Sequence, residues 1–267
     1  TQGVSSAASD VYKRQTQSCP TGHGSVGCPP GTLANNFWPA FGNTLFFTLV
    51  TVLLETILGI GMALVMAKDF HGRGLLRAAV LVPWAIPTAI TAKLWAFLFS
   101  EQGIVNSIFH AHVAWQTDPW AARFSIILAD VWKTTPFMAL LILAGLQMIP
   151  KDLYEAARMD GANAWQRFTR ITLPLAKNSI IVAVLFRMLD ALRMYDLPYI
   201  MVGPNPDSPT ATLSQLVVAA IRQDHVNAAS ALSTLIFLLI FLIALCFVKS
   251  LGSKVAHQAE PVVAEEE

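Results

Sequence analysis

Residues 228–248 read AASALSTLIFLLIFLIALCFV, twenty-one positions without one charged side chain. At a rise of ~1.5 Å per residue such a helix covers about 30 Å, the thickness of a bilayer's hydrocarbon core. A surface helix of a soluble domain keeps one polar face toward water, and this segment has no polar face. It predicts a membrane span, and the composition of the whole chain agrees. Of 267 residues, 54% are hydrophobic and 13% are charged, with a mean hydropathy of +0.52; an ordinary soluble domain is roughly 25% charged. The net charge of +1 supplies neither a basic surface for nucleic acid nor an acidic excess that would favour disorder.

Working outward from that run, four more stretches of similar character appear at 41–67, 78–99, 124–148 and 178–200. The polar stretches between them are too short to bury a core of their own. The expected architecture is all-α: a polytopic membrane helical bundle of about five spans, one integral domain over residues 41–250. Residues 1–40 read as an external, irregular segment, with 5–15 so polar and patternless that they look partly non-native. Residues 251–267 read as an acidic tail.

Orientation follows from Lys and Arg in the short loops. Lys68, Arg73, Arg77, Lys151, Arg158, Arg167, Arg170, Lys177, Lys249 and Lys254 fall on one side, against Lys13, Arg14, Arg123 and Arg222 on the other. The richer side is expected to be cytoplasmic. That places the C-terminus inside, and the N-terminus and segments 100–123 and 201–227 outside. An odd number of spans with an external start implies a further helix ahead of the first. Cys19 and Cys28 would lie outside, where a disulfide can persist, whereas Cys246 packs within a span.

The loop 150–174 is the most specific part of the chain. It reads KDLYEAARMDGAN over 151–163, AWQRFTR over 164–170 and ITLP over 171–174. Asp152 can cap a first short helix with Glu155 three residues on, Asp160-Gly161 breaks it, and Asn163 can cap a second with Gln166 three residues on. Leu153, Ala156 and Ala157 share a face of the first helix, and Trp165, Phe168 and Ile171 a face of the second. The product is a helix-turn-helix elbow. Ala156 and Ala157 are small enough for another protein's surface to come close, and Gly161 permits a turn that a side chain would obstruct.

This pattern resembles the EAA loop of permease subunits of bacterial binding-protein-dependent ABC importers: Glu155, Ala156, Ala157, then Gly161, then the tail Ile171, Leu173 and Pro174 at the family's spacing. Elsewhere, Asn43-Thr44-Leu45, 59–64 (GIGMAL), 81–87 (LVPWAIP) and 195–199 (YDLPY) are similar to the maltose-type sugar permeases of that family. Among these they are most like the first permease subunit of mycobacterial trehalose importers. The chain departs from the pattern in lacking the usual additional N-terminal helix and in carrying Gly203-Pro204-Asn205-Pro206 for a Gly-Gly-Pro turn.

The resemblance implies a type I importer transmembrane domain in the bacterial plasma (inner) membrane. Its partners would be a second permease subunit, an ABC ATPase dimer, an external solute-binding protein, the lipid bilayer and a sugar substrate, without nucleic acid. Glu155, Ala156, Ala157, Asp160 and Gly161 would couple the chain to the ATPase. The sequence has no G-x-x-x-x-G-K-[ST] phosphate loop, so ATP and Mg2+ would be held by the partner and no cofactor by this chain. It is therefore expected to be a transport subunit, not an enzyme. The implied substrate is a disaccharide such as trehalose or maltose, with glycerol phosphate as an alternative.

Intramembrane charges point to the substrate path, because each costs roughly 2.5–3.5 kcal/mol at a helix centre unless it faces protein or water. Arg187, Asp190, Arg193 and Asp196 alternate in sign at steps of three. On one continuous helix such a ladder winds through about 180° and needs a polar interior. Asp130 and Lys133, with Lys93, fall toward the outer half, whereas Glu55 falls in the inner half and reads as structural. Trp95, Trp132 and Tyr195 lie near these charges and can stack on a sugar ring. Each charge reads equally well as a helix–helix salt bridge, and each aromatic as an interfacial anchor. His110-x-His112 lacks a third ligand and reads as solvated loop, so no metal site is expected, and no catalytic constellation is found. A membrane-embedded transferase would leave the elbow unexplained. An ion-coupled secondary carrier would show a repeated half, and none is visible.

Overall fold

The computed structural model describes residues 33–110, 112–205 and 207–259. Cys19, Cys28, most of the 1–40 segment and the acidic end 260–267 lie outside the described residues. Among the described residues ten helices follow in order: α1 Leu33–Ala67, α2 Arg73–Ala85, α3 Thr88–Leu98, α4 Ile104–Phe109, α5 Pro119–Gln147, α6 Lys151–Met159, α7 Ala164–Ala191, α8 Asp196–Met201, α9 Leu213–Arg222 and α10 Val226–Ala259. Within α7, Phe168–Thr172 takes a π-helical turn just before Pro174. Four helices, α1, α5, α7 and α10, are long and apolar enough to cross a membrane, and the bent pair α2 and α3 makes a fifth span.

Two of the expected continuous spans are interrupted. The 78–99 segment turns through 87° between Ala85 and Thr88. Pro87 is the cause: it drives the preceding residue out of helical geometry, and Ile86 is extended at φ −74°, ψ 131°. Pro83, inside α2, does not end the helix. The 178–200 segment ends as helix at Ala191 and restarts at Asp196. The Arg187-to-Asp196 ladder is therefore not on one helix. Its first half lies on α7, Arg193 on the break, and Asp196 at the start of α8. The segments read as outer loops contain short helices, α4 and α9.

Local signals explain the helix starts. Asp118 caps α5, accepting from the backbone N–H of Trp120 (3.0 Å) and Ala121 (2.8 Å), with Pro119 at the first position. Thr212 and Gln215 form a reciprocal capping box on α9. The motif residues Asn43 and Thr44 tie α1 to that start, Asn43 donating to the Ala211 carbonyl and Thr44 accepting from the Leu213 N–H, each at 3.0 Å.

α5 is the central helix and α10 a peripheral one: 61% of the apolar window of α5 is buried, against 6% for α10. One apolar layer joins α1, α5 and α7, and a second joins α1 and α5 to α3, α8 and the break before α8. Toward the elbow the first comprises Ala63, Met66, Met138, Ala139, Ile142, Leu143 and Ala183. At the far end Phe47, Ile126 and Ala129 pack with Ala92, Met194 and Leu197. Glu55, Asp130 with Lys133, and Arg187 with Asp190 each lie in sequence between residues of the two layers.

Lipid tails are as apolar as leucine, so close backbone approach carries much of the packing between spans. At Gly145 of α5 an added Cβ would overlap the Ser179 side chain of α7. Gly145→Val is expected to cost about 1–3 kcal/mol by overpacking. A lowered melting temperature of the purified protein in detergent would register it, and an unchanged one would contradict this contact.

Candidate functional site: a charged cavity and a two-helix elbow

Arg187 occupies the middle of the charged layer. Its Nε lies 2.5 Å from Glu55 Oε2 and its Nη2 3.0 Å from Glu55 Oε1, a two-pronged grip across 132 positions of sequence. Nη2 also reaches Asp130, and Nη1 donates to Asp190 at 2.9 Å. One guanidinium thus joins α1, α5 and α7, using the planar fork that distinguishes Arg from Lys. The Thr134 hydroxyl lies 2.6 Å from both Glu55 Oε1 and the Asp130 carbonyl, and its single proton serves one at a time. Glu55 and Asp130 share Arg187, so the depths assigned from the span ends, inner half and outer half, are corrected to a single layer.

Beside this layer opens a cavity of about 260 Å3. Its walls carry Asp130, Lys133 and Thr134 from α5, Arg187 and Asp190 from α7, Arg193, Met194 and Tyr195 from the break, Asp196 and Leu197 from α8, and Trp84 and Thr88 from the other broken span. The cavity is built where helices are interrupted, because irregular backbone at membrane depth is tolerated where it lines a polar space. Lys133 Nζ donates at 3.0 Å to the Ile86 carbonyl, which the Pro87 break has freed from helical bonding. Asp190 and Arg193 lie 4.0 Å apart with side chains 64% and 68% exposed, so they keep hydrogen-bonding capacity for something in the cavity. Tyr195 stacks on Tyr199 with centroids 4.9 Å apart, and Arg222 lies over the Tyr199 ring.

Asp130, Lys133, Arg187, Asp190, Arg193, Tyr195 and Asp196 are thus brought together. Lys93, Trp95 and Trp132 are not among the lining residues. Lys93 is exposed on α3, and Trp95 stacks on Phe99 and meets Trp132 edge-on in the far apolar cluster. Sequence reasoning missed Trp84, Thr88 and Thr134; Pro87 between the first two was the available signal, since it marks a break. Among the described residues no group of three His, Cys, Asp or Glu side chains gathers as for a metal ion.

The elbow forms as its caps dictate. Gly161, at φ +77°, closes α6: its N–H reaches the Arg158 carbonyl at 3.0 Å and that of Ala162 reaches the Ala157 carbonyl at 2.9 Å. These two bonds define a Schellman motif, whose left-handed residue is usually glycine. Asn163 and Gln166 exchange 2.8 Å bonds as a capping box on α7. At the other end of α6 the expected cap is corrected: Pro150 occupies that position, and Asp152 lies within the first turn, where its charge suits the helix dipole. Tyr154 ties α6 to α7 through a 3.0 Å bond to Thr172.

Glu155 and Ala156 are exposed and Ala157 is half-buried. Leu153, Met159 and Trp165 are 45%, 89% and 71% exposed around them. Large apolar side chains exposed on a polar elbow are the kind of surface that other molecules cover.

A bundle of spans with broken helices around a charged cavity and a projecting two-helix elbow defines a membrane-embedded subunit of a transport system. Residues 55–257 match the family described as binding-protein-dependent transport system inner membrane component. The chain belongs to that family. It is similar to the trehalose/maltose transport system permease protein MalF of Thermococcus litoralis, 44% identical over 221 residues covering 81% of this chain and 75% of the relative. It is also similar to the trehalose transport system permease protein SugA of Mycobacterium tuberculosis, 39% identical over 219 residues covering 81% and 71%. Among solved structures it resembles a bacterial alginate ABC transporter in complex with an alginate pentasaccharide-bound periplasmic protein. That match has a TM-score of 0.72 and 26% identity and covers 79% of this chain and 77% of the other.

Proposed function

We propose that this chain is the permease subunit of an ATP-driven importer that moves an uncharged sugar, of disaccharide size, through the cavity between Trp84, Lys133, Asp190 and Tyr195. The carrying observation is the charge balance of that cavity. Asp130, Asp190 and Asp196 face Lys133, Arg187 and Arg193, three charges of each sign; Arg187 is held by three carboxylates and Lys133 by a carbonyl, while Arg193 stays exposed 4.0 Å from Asp190. An anion such as glycerol phosphate would meet no net positive charge in that lining. Alternating planar carboxylate and guanidinium groups with Tyr195 and Trp84 nearby suit hydroxyls and the apolar face of a sugar ring. The trehalose and maltose in the names of two relatives support the same solute class, whereas the alginate transporter shares only the carbohydrate class.

In this reading Glu155, Ala156, Ala157, Asp160 and Gly161 dock into a separate ABC ATPase dimer, which supplies ATP and Mg2+, and a second permease subunit completes the pore. An external binding protein delivers the sugar, and the elbow lies in the cytoplasm with the C-terminus. ATP binding favours one packed arrangement of the spans over another, and a bias of a few kcal/mol suffices.

Vesicles containing the chain with its co-purifying partners are expected to accumulate labelled trehalose or maltose only with ATP, uncompeted by excess glycerol phosphate. Uptake of the phosphate itself would overturn the uncharged-substrate reading. In the same assay Asp190→Ala is expected to lower uptake about tenfold, the weight of one charge-assisted hydrogen bond, with assembly retained because Arg187 keeps Glu55 and Asp130. Failed assembly with this variant would mark Asp190 as structural.

A further inference from the structure

Helix α2 does not adjoin the elbow in the chain, yet it is linked to the elbow through Asp69 of the preceding turn and reaches the cavity at its other end. α5 and α7 continue into the elbow through the chain itself, so a movement of α6 passes directly to Asp130, Lys133, Arg187 and Asp190. α2 presents Trp84 to the cavity and is followed by Ile86, whose carbonyl accepts from Lys133. Its opposite end begins at Arg73, beside the turn that holds Asp69. There one carboxylate serves two helices: Asp69 Oδ1 accepts from Arg73, and Asp69 Oδ2 accepts from Lys151 at 2.8 Å. Lys151 is the first residue of the elbow helix α6.

The body of α2 is suited to moving between those two points. It has no fully buried residue, and Leu76 and Val80 rest as partly buried side chains on the elbow-end layer. Thirteen residues make a rod of about 20 Å whose hydrogen bonds resist bending. Arg77 donates at 2.8 Å to the Met66 carbonyl at the end of α1 and steadies the rod from the side. Asp69 lies outside the spans, and Lys151 and Arg73 hold its carboxyl below the ordinary carboxylate range. The ionised carboxylate is the form that makes the link, and the shift extends that form further into acid.

We propose that α2 is a transmission rod of the transport cycle, with Asp69 as the positioning residue that fastens it to the elbow and Lys133 the one that fastens it to the cavity. The proposal rests on the reading of the elbow as the ATPase dock. Through it, motion of α6 would shift Trp84 and the Ile86–Pro87 bend together with the α5 and α7 walls.

The test is sugar taken up per ATP hydrolysed by the whole transporter in vesicles with its binding protein. Asp69→Asn and Lys151→Met are each expected to lower that ratio by at least about fivefold, the low end of coupling between two sites. The double variant should fall no further than either single, because both remove one link. An unchanged ratio in both singles, or losses that multiply in the double, would overturn the rod. Gly161→Val separates the layers of the argument. If it uncouples while Asp69→Asn does not, the rod alone fails; if neither uncouples, the elbow reading beneath it fails as well.

Discussion

Arg187→Ala is expected to fail at assembly, before any question of substrate arises. The substitution leaves Glu55, fully buried, and Asp130, 5% exposed, without their shared cation. Removing one partner of a buried ion pair costs about 3–5 kcal/mol, since the remaining charge has neither water nor a counter-charge. Here two carboxylates are stranded between two apolar layers. The variant should be recovered from mild detergent mostly as aggregate, and Arg187→Lys should recover little because an ammonium cannot reproduce the two-pronged contact with Glu55. Arg187→Met combined with Glu55→Gln and Asp130→Asn should regain assembly without transport, because it removes the stranded charges along with the bridge. A stable, monodisperse Arg187→Ala protein would contradict this account of the charged layer.

Gly161→Val is expected to leave the spans intact and to abolish coupled uptake while ATP hydrolysis continues. No neighbouring atom lies within 4 Å of a Cβ at this position, so there is no clash to relieve. The cost is in the backbone: φ is +77°, and an L-residue held in the left-handed region pays roughly 1–2 kcal/mol, more when β-branched. The chain can escape that cost by abandoning the bonds to the Arg158 and Ala157 carbonyls, which reorients α6 against α7. Gly161→Asn should retain partial coupling, because asparagine tolerates the same geometry. Normal sugar uptake per ATP in Gly161→Val would remove the elbow from the transport mechanism.

The spans and the elbow were legible in the sequence because both are written in local terms. An uncharged run such as 228–248 needs no tertiary partner to declare itself, and Asn163 with Gln166, or Gly161 after Asp160, act within one turn of chain. The breaks were harder. Pro39, Pro83 and Pro136 all lie inside continuous helices, whereas Pro87 ends one, so proline alone did not locate the bend. Between Ala191 and Asp196 neither proline nor glycine marks the interruption at all. The ladder of Arg187, Asp190, Arg193 and Asp196 was visible as spacing, and its Arg187–Asp190 contact forms as spacing suggests. The stronger partner of Arg187 is Glu55, a position 132 residues away that no periodicity connects to it. Trp84, Thr88 and Thr134 line the cavity for the same reason: tertiary packing places them, and ordinary composition conceals them.

The central claim is that the exposed elbow meets a nucleotide-driven partner. A photo-crosslinking residue at Ala157, activated in cells that express the whole transporter, tests it most directly. The account predicts a specific adduct with an ATPase subunit, lost when Gly161 is replaced by valine. An adduct confined to lipid or to this chain itself, with sugar uptake undiminished, would contradict it.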